Sequence, residues 1–338
     1  MSSQHGDLME LNQENVGKAL QALSSRLLPG AAIDKLTRLT GGASQQMWSF
    51  NLVSDDDVEP LILRIASPMN GSDSTTLTMD QEARLLREVL RHDVPVPIVR
   101  YELKEEDDLG VGYIMRRVDG ETLPQRILRD EAYSNARSVL ARQCGQVMAG
   151  IHQVPLDKVS FLRKRTTEQL IEAYYQRYQG CGEPRPVFEL AFRWLRDNLP
   201  AEPAEPCLVH GDFRNGNLMV DRNGLRVVLD WELSYLGDPM ADLGWICVNS
   251  WRFGNSALPV GGFGTREELF QGYQEASGRR VDPRRVAFWE VFGVLKWGVI
   301  CQKMAQAFIS GTDRTVERGA IGRRASEAEI DLLTMLAR

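Results

Sequence analysis

The sequence predicts an α+β protein with a strand-rich first part and a larger, mainly helical second part. Two observations predict this class. Between Ile33 and Val118, five strand-like runs accompany one helix. After Gly120 the apolar residues recur with helical spacing, interrupted by one short hairpin. The chain has 338 residues, of which 43% are hydrophobic and 25% charged, so it is long enough for two cores and is not a disordered chain.

The first part is predicted to hold a helix and a small antiparallel sheet. We expect residues 1–30 to form an N-terminal helical extension and residues 31–118 to form a small lobe. The extension caps this lobe or mediates a dimer, and the sequence leaves both open, as it leaves the oligomeric state. The predicted elements are a helix over Asp7–Leu28, strands over Ile33–Thr40, Gln46–Val53 and Leu61–Ala66, a helix over Leu77–Leu90, and strands over Ile98–Leu103 and Gly112–Val118.

Residues 119–338 are predicted to form the larger helical lobe. Its helices are expected over Ala136–His152, Glu168–Gln179 and Val187–Asn198, and its hairpin pairs Asn217–Val220 with Leu225–Leu229. From Ala241 onward everything is predicted helical except Pro259–Gly264. The helix from Pro283 to Ser310 is apolar nearly all round, so we expect it to be buried.

Composition argues against several classes of protein. The formal net charge of −6 is unlike that of a general nucleic-acid binder. The longest apolar stretch carries Glu290 and Lys296, so it predicts a buried helix and no membrane span. The N-terminus lacks the pattern of a secretory signal, and the five scattered cysteines contain no CxxC pair. These features predict a cytoplasmic protein with reduced thiols.

One segment carries most of the chemical information. It reads His210-Gly-Asp-Phe-Arg-Asn-Gly-Asn217 and is followed, after a predicted hairpin, by Asp230. A tight hairpin brings Asn217 and Asp230 together, where an amide oxygen and a carboxylate can hold Mg²⁺. Asp212 then remains to accept a proton from a hydroxyl, as in phosphoryl transfer by protein kinases. The alternative, that Asp212 and Asp230 only cap turns, explains this ordered set less well.

The motifs HGDFRNGNLMV and VVLDWELSYLGDPMADLGW closely resemble the aminoglycoside-phosphotransferase/choline-kinase superfamily. The resemblance runs from about Leu36 to Arg324 and is nearest to the kinase-like domain fused to some acyl-CoA dehydrogenases. It implies a protein-kinase-like fold of two lobes, an ATP (or another NTP) and Mg²⁺ requirement, and a small-molecule hydroxyl acceptor. No nucleic-acid or membrane partner is expected.

The resemblance also assigns roles in the small lobe. Gly41, Gly42 and Ser44 match the loop over the nucleotide phosphates, although a plain Gly-Gly hairpin would explain them equally if they stood alone. Arg64 matches the phosphate-binding cation and Glu82 the acid that pairs with it; the alternative is that both are surface charges.

Further roles follow from the same resemblance. The backbone of Arg116 to Val118 would face the adenine, with Met115 behind the ring; an edge strand is the other interpretation. His210 and Asp242 would support the site structurally, and Asp242 would steady the catalytic loop unless it only caps a helix after Pro239.

One absence bears directly on this assignment. No lysine occurs between Lys35 and Lys104, where a kinase-like site would place its phosphate-binding lysine. Arg64 occupies the expected strand position, and a guanidinium offers a planar set of donors to phosphate and to a carboxylate. The gap therefore does not exclude a kinase.

The leading hypothesis is thus an ATP- and Mg²⁺-dependent phosphotransferase acting on a hydroxyl of a small molecule. The resemblance points to a hydroxyacyl compound or another metabolic alcohol as acceptor, and whether aminoglycosides are substrates stays open. The second hypothesis is a pseudokinase that binds nucleotide without turnover. A metal-dependent phosphohydrolase is the third, but such sites usually need more histidines than the four present.

Overall fold

The computed structural model describes residues 12–39, 45–55, 57–66, 76–203 and 205–337. Within these residues the chain divides into two compact units. The first comprises the residues up to Arg91 together with Val96–Asp119, and the second comprises His92–Pro95 and Gly120–Arg338. The division falls between Asp119 and Gly120, apart from the short segment His92–Pro95, which belongs to the second unit.

The first unit is built on a five-stranded antiparallel sheet. The strand order is β1-β2-β3-β5-β4. Its elements are α1 (Gln13–Leu27), β1 (Ala32–Leu39), β2 (Gln45–Val53), β3 (Val58–Ala66), α2 (Met79–Leu90), β4 (Val99–Glu102) and β5 (Gly112–Arg116). Helix α2 begins where Thr78 forms a capping box with Gln81, two residues later than the sequence predicted.

Helix α1 is part of the core of this unit. Its residues Val16, Leu20 and Leu23 are buried in one cluster with Trp48 and Phe50 of β2. Of the two roles that the sequence left open for this helix, covering the sheet is the one its packing supports.

Helix α1 begins at Gln13, where Asn12 is extended and its side chain accepts a hydrogen bond from the Asn15 amide at 2.9 Å. The earlier part of the predicted helix, from Asp7, lies outside the described residues.

The second unit is mainly helical. Its helices are α3 (Pro124–Arg129), α4 (Ser134–His152), α5 (Thr167–Gln179), α6 (Pro186–Asp197), α7 (Met240–Ile246), α8 (Arg266–Ser277), α9 (Pro283–Ser310), α10 (Val316–Gly322) and α11 (Ala325–Leu336). Two small sheets accompany them: β6 (Cys207–Val209) pairs with β9 (Tyr235–Gly237), and β7 (Leu218–Asp221) pairs with β8 (Gly224–Val228). Helix α9 contacts α5, α6, α7, α10 and α11 and is the central helix, as predicted.

Close helix packing fixes the second unit. Helices α4 and α8 approach so closely that a Cβ atom on Gly145 would collide with the Leu269 carbonyl, and one on Gly272 with the Arg142 carbonyl. Among the described residues no helix is both long enough and apolar enough to cross a bilayer.

The region after Ala241 departs from the prediction. It is not continuously helical outside Pro259–Gly264, since α8 ends at a left-handed Gly278 and α9 ends at a left-handed Gly311. The short helix α3 and the pairing of β6 with β9 were not predicted.

Candidate active site

A loop and a hairpin place the candidate catalytic residues. Strand β6 ends at Val209, the loop from His210 to Asn217 follows, and β7 and β8 form the hairpin. The Leu229 amide donates to the Asn217 carbonyl at 2.8 Å and closes the base of this hairpin. Asp230, the next residue, has a left-handed backbone (φ 68°). The chain therefore brings Asn217 and the segment that carries Asp230 together, as the spacing predicted.

The carboxylate of Asp212 is surrounded by donors. Its Oδ2 oxygen accepts a hydrogen bond from Asn217 Nδ2 at 2.6 Å. Its Oδ1 oxygen accepts from the indole Nε1 of Trp245 at 2.8 Å and from Nε of Arg214 at 3.2 Å. The side chain is 15% exposed, so it is held in place yet accessible. A carboxylate fixed in this way can accept a proton from a bound hydroxyl.

Asp242 anchors the start of the loop. This carboxylate is fully buried, and it accepts hydrogen bonds from the backbone amides of His210 at 2.8 Å and Gly211 at 2.9 Å. His152 Nε2 lies 3.2 Å from the same carboxylate, and the other imidazole nitrogen contacts Tyr273 Oη at 3.0 Å. Burial alone would raise the pKa of Asp242, but the hydrogen bonds from the His152 side chain and the His210 backbone lower it below its ordinary value. Asp242 therefore binds loop amides instead of capping α7.

His210 is a structural member of the loop. Its Nδ1 atom accepts from the Asp212 amide at 3.1 Å, so Nε2 must carry the proton that bonds the Leu229 carbonyl at 3.1 Å. Complete burial lowers the pKa of His210 and favours this neutral form. The sharp bend directly after His210 requires glycine, since Gly211 has φ 81° and a Cβ there would collide with the Leu233 carbonyl.

The donors near the hairpin base suit Mg²⁺. Asn217 turns its Nδ2 group toward Asp212, which leaves its amide oxygen for a metal, and Asp230 supplies a carboxylate. Both are hard oxygen ligands, and Mg²⁺ keeps several waters in such sites. Among the described residues no group of three or more His, Cys, Asp and Glu side chains could hold a metal. Asn217 and Asp230 fit a Mg²⁺ ion that keeps several waters as ligands.

In the first unit, Arg64 and Glu82 form a buried ion pair. Arg64 lies on β3 and Glu82 on α2, and their side chains are 8% and 1% exposed. Nη1 of Arg64 lies 3.0 Å from Oε1 of Glu82, and Nε donates to Gln45 Oε1 at 2.9 Å. These residues are not surface charges, which was the alternative interpretation. The guanidinium is held on two sides, as a positioned anion-binding group would be.

The predicted adenine-facing segment lies at the end of β5. Met115 is buried and Arg116 is exposed, with its side chain bonded to Glu59. The Arg116 amide donates to the Ile98 carbonyl at 2.8 Å, and the next amide donates to Pro60, so neither is available to a base. The described residues provide no partner for the Val118 amide. Gly41, Gly42 and Ser44 lie outside the described residues.

Three residues contact the loop around Asp212 in ways that were not predicted. Arg214 follows Asp212 by two positions, so the loop motif itself contained the signal. Trp245 and Lys296 reach the loop from α7 and α9, and Lys296 Nζ donates to the Gly211 carbonyl at 3.0 Å. Nothing in the local spacing indicates these two contacts, because packing between distant elements creates them.

The fold is protein-kinase-like. The structure resembles a candidate aminoglycoside phosphotransferase from Ralstonia eutropha, with a TM-score of 0.75 and 24% identity over 95% of this chain and 98% of that one. It also resembles aminoglycoside phosphotransferase APH(4)-Ia, solved with AMP-PNP and hygromycin B, with a TM-score of 0.61 and 17% identity over 94% and 99%. These likenesses confirm the predicted α+β, protein-kinase-like fold.

The sequence comparison identifies the family. The profile of the phosphotransferase enzyme family matches residues 35–289, and the chain belongs to this family. A curated relative is the probable acyl-CoA dehydrogenase IBR3 of Arabidopsis thaliana, 28% identical over 90% of this chain. The chain spans only 40% of the length of that plant protein. The predicted resemblance to the superfamily and to the acyl-CoA-dehydrogenase-associated domain is confirmed.

Proposed function

We propose that the protein is an ATP- and Mg²⁺-dependent phosphotransferase that phosphorylates a hydroxyl group of a small molecule. The observation that carries the proposal is the Asp212 carboxylate, which accepts hydrogen bonds from Asn217, Trp245 and Arg214 while Asp242 binds the preceding backbone amides. Family membership and fold support a small-molecule phosphotransferase. The pseudokinase alternative is not favoured, because Asp212, Asn217 and Asp230 are all competent residue types.

In the proposed reaction Asp212 orients the acceptor hydroxyl and accepts its proton. The hydroxyl oxygen forms a bond to the γ-phosphorus of ATP, while the bond from that phosphorus to the β,γ-bridging oxygen breaks and ADP leaves. Asn217 and Asp230 would hold Mg²⁺, which neutralises charge on the phosphate oxygens when bound. Most of the rate enhancement would come from positioning and electrostatics.

The nucleotide roles assigned by resemblance remain part of the proposal. Arg64, oriented by Glu82, would bind phosphate oxygens, and the buried pair supports this role. The backbone from Arg116 to Val118 would face the adenine beside Met115, with the Val118 amide as the donor, because the amides of Arg116 and Arg117 are already bonded. Gly41, Gly42 and Ser44 would cover the phosphates. ATP is the proposed donor, and another nucleoside triphosphate would use the same contacts.

The acceptor is proposed from the relatives. Acyl-CoA dehydrogenases act on acyl groups, so a hydroxyacyl compound or a related metabolic alcohol fits a kinase domain similar to part of IBR3. We also propose that the reaction takes place in the cytoplasm, where thiols stay reduced, since all five cysteines are free and buried.

An ATP-consumption screen tests this function. The panel contains aminoglycosides, choline, homoserine, sugars and hydroxyacyl-CoA compounds, with Asp212→Ala as the blank. We expect at least one alcohol to stimulate ADP formation by the unaltered protein only. Mg²⁺-dependent ATP binding, seen as a melting-temperature shift, with no turnover on any acceptor would contradict the proposal and support a pseudokinase.

A further inference from the structure

Two cations lie at the loop that carries Asp212: Arg214 contacts the Asp212 carboxylate, and Lys296 contacts the carbonyl of the preceding residue, Gly211. Arg214 is 24% exposed, bonds Asp212 directly, and stacks its guanidinium 4.6 Å from the ring centre of Trp251. Lys296 is half-buried, and its ammonium lies 4.0 Å from the ring centre of Trp245, the same residue whose indole N–H bonds Asp212. Each cation is therefore held in place. Arg214 contacts the candidate proton acceptor directly, and Lys296 contacts it through Trp245.

The charge of Lys296 is not neutralised within the described part of the chain. Its ammonium donates to the Gly211 carbonyl at 3.0 Å and faces the Trp245 ring, and no carboxylate of a described residue lies within ion-pair distance. An ammonium has three N–H donors, and a partly buried charge without a counter-ion is costly. An anion bound from solution would offset this cost.

Two buried acids of the second unit are already committed to other cations. Asp238 is 3% exposed and accepts from Arg285 Nε at 2.5 Å and Trp289 Nε1 at 2.7 Å. Glu290 accepts from both Arg252 and Arg266. Neither carboxylate is therefore free for a cationic group of an acceptor, whereas Lys296 offers a positive charge.

We infer that the acceptor alcohol carries an anionic group, a carboxylate or a phosphate, that binds at Lys296 and Arg214. The inference rests on the proposed phosphotransferase function and names the substrate class of the same site. Lys296 holds the anionic group while Asp212 accepts the proton of the hydroxyl. The anionic group itself is chemically unchanged, since only the hydroxyl oxygen forms a bond to phosphorus. Lys296 is then a specificity-determining residue.

The test compares acceptors that differ only in charge. One arm pairs glycerol 3-phosphate with glycerol, a second pairs 3-hydroxybutyrate with its methyl ester, and choline and kanamycin form the cationic arm. Any further alcohol that is phosphorylated is compared with a neutral ester or dephosphorylated analogue. We expect the anionic member to have a kcat/KM at least about tenfold higher, falling as salt is raised. Comparison of the glycerol 3-phosphate arm with the 3-hydroxybutyrate arm shows whether the site prefers a phosphate or a carboxylate.

Substitutions of Lys296 separate charge from packing. Lys296→Arg keeps the charge and should keep the preference. Lys296→Gln keeps a hydrogen-bond donor, and Lys296→Met keeps only the apolar stem. We expect both to raise KM for the anionic acceptor about tenfold while KM for the neutral analogue stays unchanged. The control is Lys303→Met, an exposed lysine seven residues further along α9, which should change neither value.

Every outcome distinguishes the inference from the proposed function. Phosphorylation that favours neutral or cationic acceptors would overturn the inference and support the function. Equal losses on anionic and neutral acceptors in Lys296→Gln would also overturn it, because they indicate loop positioning through Gly211. If no acceptor turns over, thermal shift decides: stabilisation by anionic compounds only, lost in Lys296→Gln, supports the anion site and contradicts the function. No anion-dependent shift would overturn the inference.

Discussion

The indole Nε1 of Trp245 donates a 2.8 Å hydrogen bond to Oδ1 of Asp212, a residue 33 positions earlier in the chain. This bond fixes one oxygen of the carboxylate, and Asn217 fixes the other. The candidate proton acceptor is therefore oriented by two different elements, helix α7 and the base of the hairpin. Orientation of this kind is what general base catalysis requires.

Trp245→Phe tests this orientation. The variant removes the N–H donor and keeps a ring beneath Lys296. Because a hydrogen bond to a charged group contributes about 1.5–3 kcal/mol, we expect kcat to fall roughly 10- to 100-fold while the KM for ATP stays unchanged. Trp194→Phe, on α6, is the control and should keep wild-type kcat. Unchanged kcat in Trp245→Phe would show that the bond does not contribute to catalysis.

Arg64 should bind the nucleotide. We expect Arg64→Ala to raise the KM for ATP markedly and to reduce the ATP-induced melting shift, because the guanidinium no longer offsets phosphate charge. Arg64→Lys should retain activity if a point charge suffices. The control is Arg100→Ala, which removes an exposed pairing with Glu59 on the same sheet. A silent Arg64→Ala in a folded protein would mean that the strand alignment or the nucleotide role is wrong.

Asp242 should stabilise the loop. Asp242→Asn places an amide group against two backbone amides and His152, so at least one buried donor loses its partner. The expected loss is about 1–3 kcal/mol in the free energy of unfolding, measured by urea titration. Asp282→Asn is the matched control, since Asn also caps the start of α9 and should change stability by less than about 0.5 kcal/mol. Equal stability of both variants would contradict the anchoring role.

His210 should make stability depend on pH. Burial lowers the pKa of the folded imidazole, whereas the unfolded imidazole titrates near 6.5. Between these values the unfolded chain binds more protons, so this contribution is fully present above pH ~6.5 and is lost as pH falls toward the folded pKa. The loss is at most about 1.4 kcal/mol per pH unit. In urea titrations, the free energy of unfolding of His210→Asn should vary less with pH below pH ~6.5 than that of the wild type. An equal slope in both proteins would show that His210 does not contribute to the pH dependence of stability.

The sequence predicted what is local in this structure. The loop with the HGD motif and the hairpin depend on local spacing, and they form as expected. The pairing of Arg64 with Glu82 was implied by the family resemblance, and the two side chains do form an ion pair. The partners that orient the loop do not depend on local spacing. Trp245 and Lys296 arrive from helices α7 and α9, and their register against Gly211 and Asp212 is set by tertiary packing. The three-residue strands β6 and β9 were missed because so short a strand has no detectable periodicity.

The most direct test of the account compares acceptor-dependent ADP formation by the wild type, Asp212→Asn and Asp221→Asn. Asp221 lies in the turn of the same hairpin, where its side chain accepts from the Asn223 and Gly224 amides, so its variant controls for local folding. We expect the wild type and Asp221→Asn to phosphorylate the same alcohol, and Asp212→Asn to bind ATP normally but turn over at least about 10²-fold more slowly. Equal turnover by Asp212→Asn would contradict the proposal that Asp212 accepts the proton of the acceptor hydroxyl.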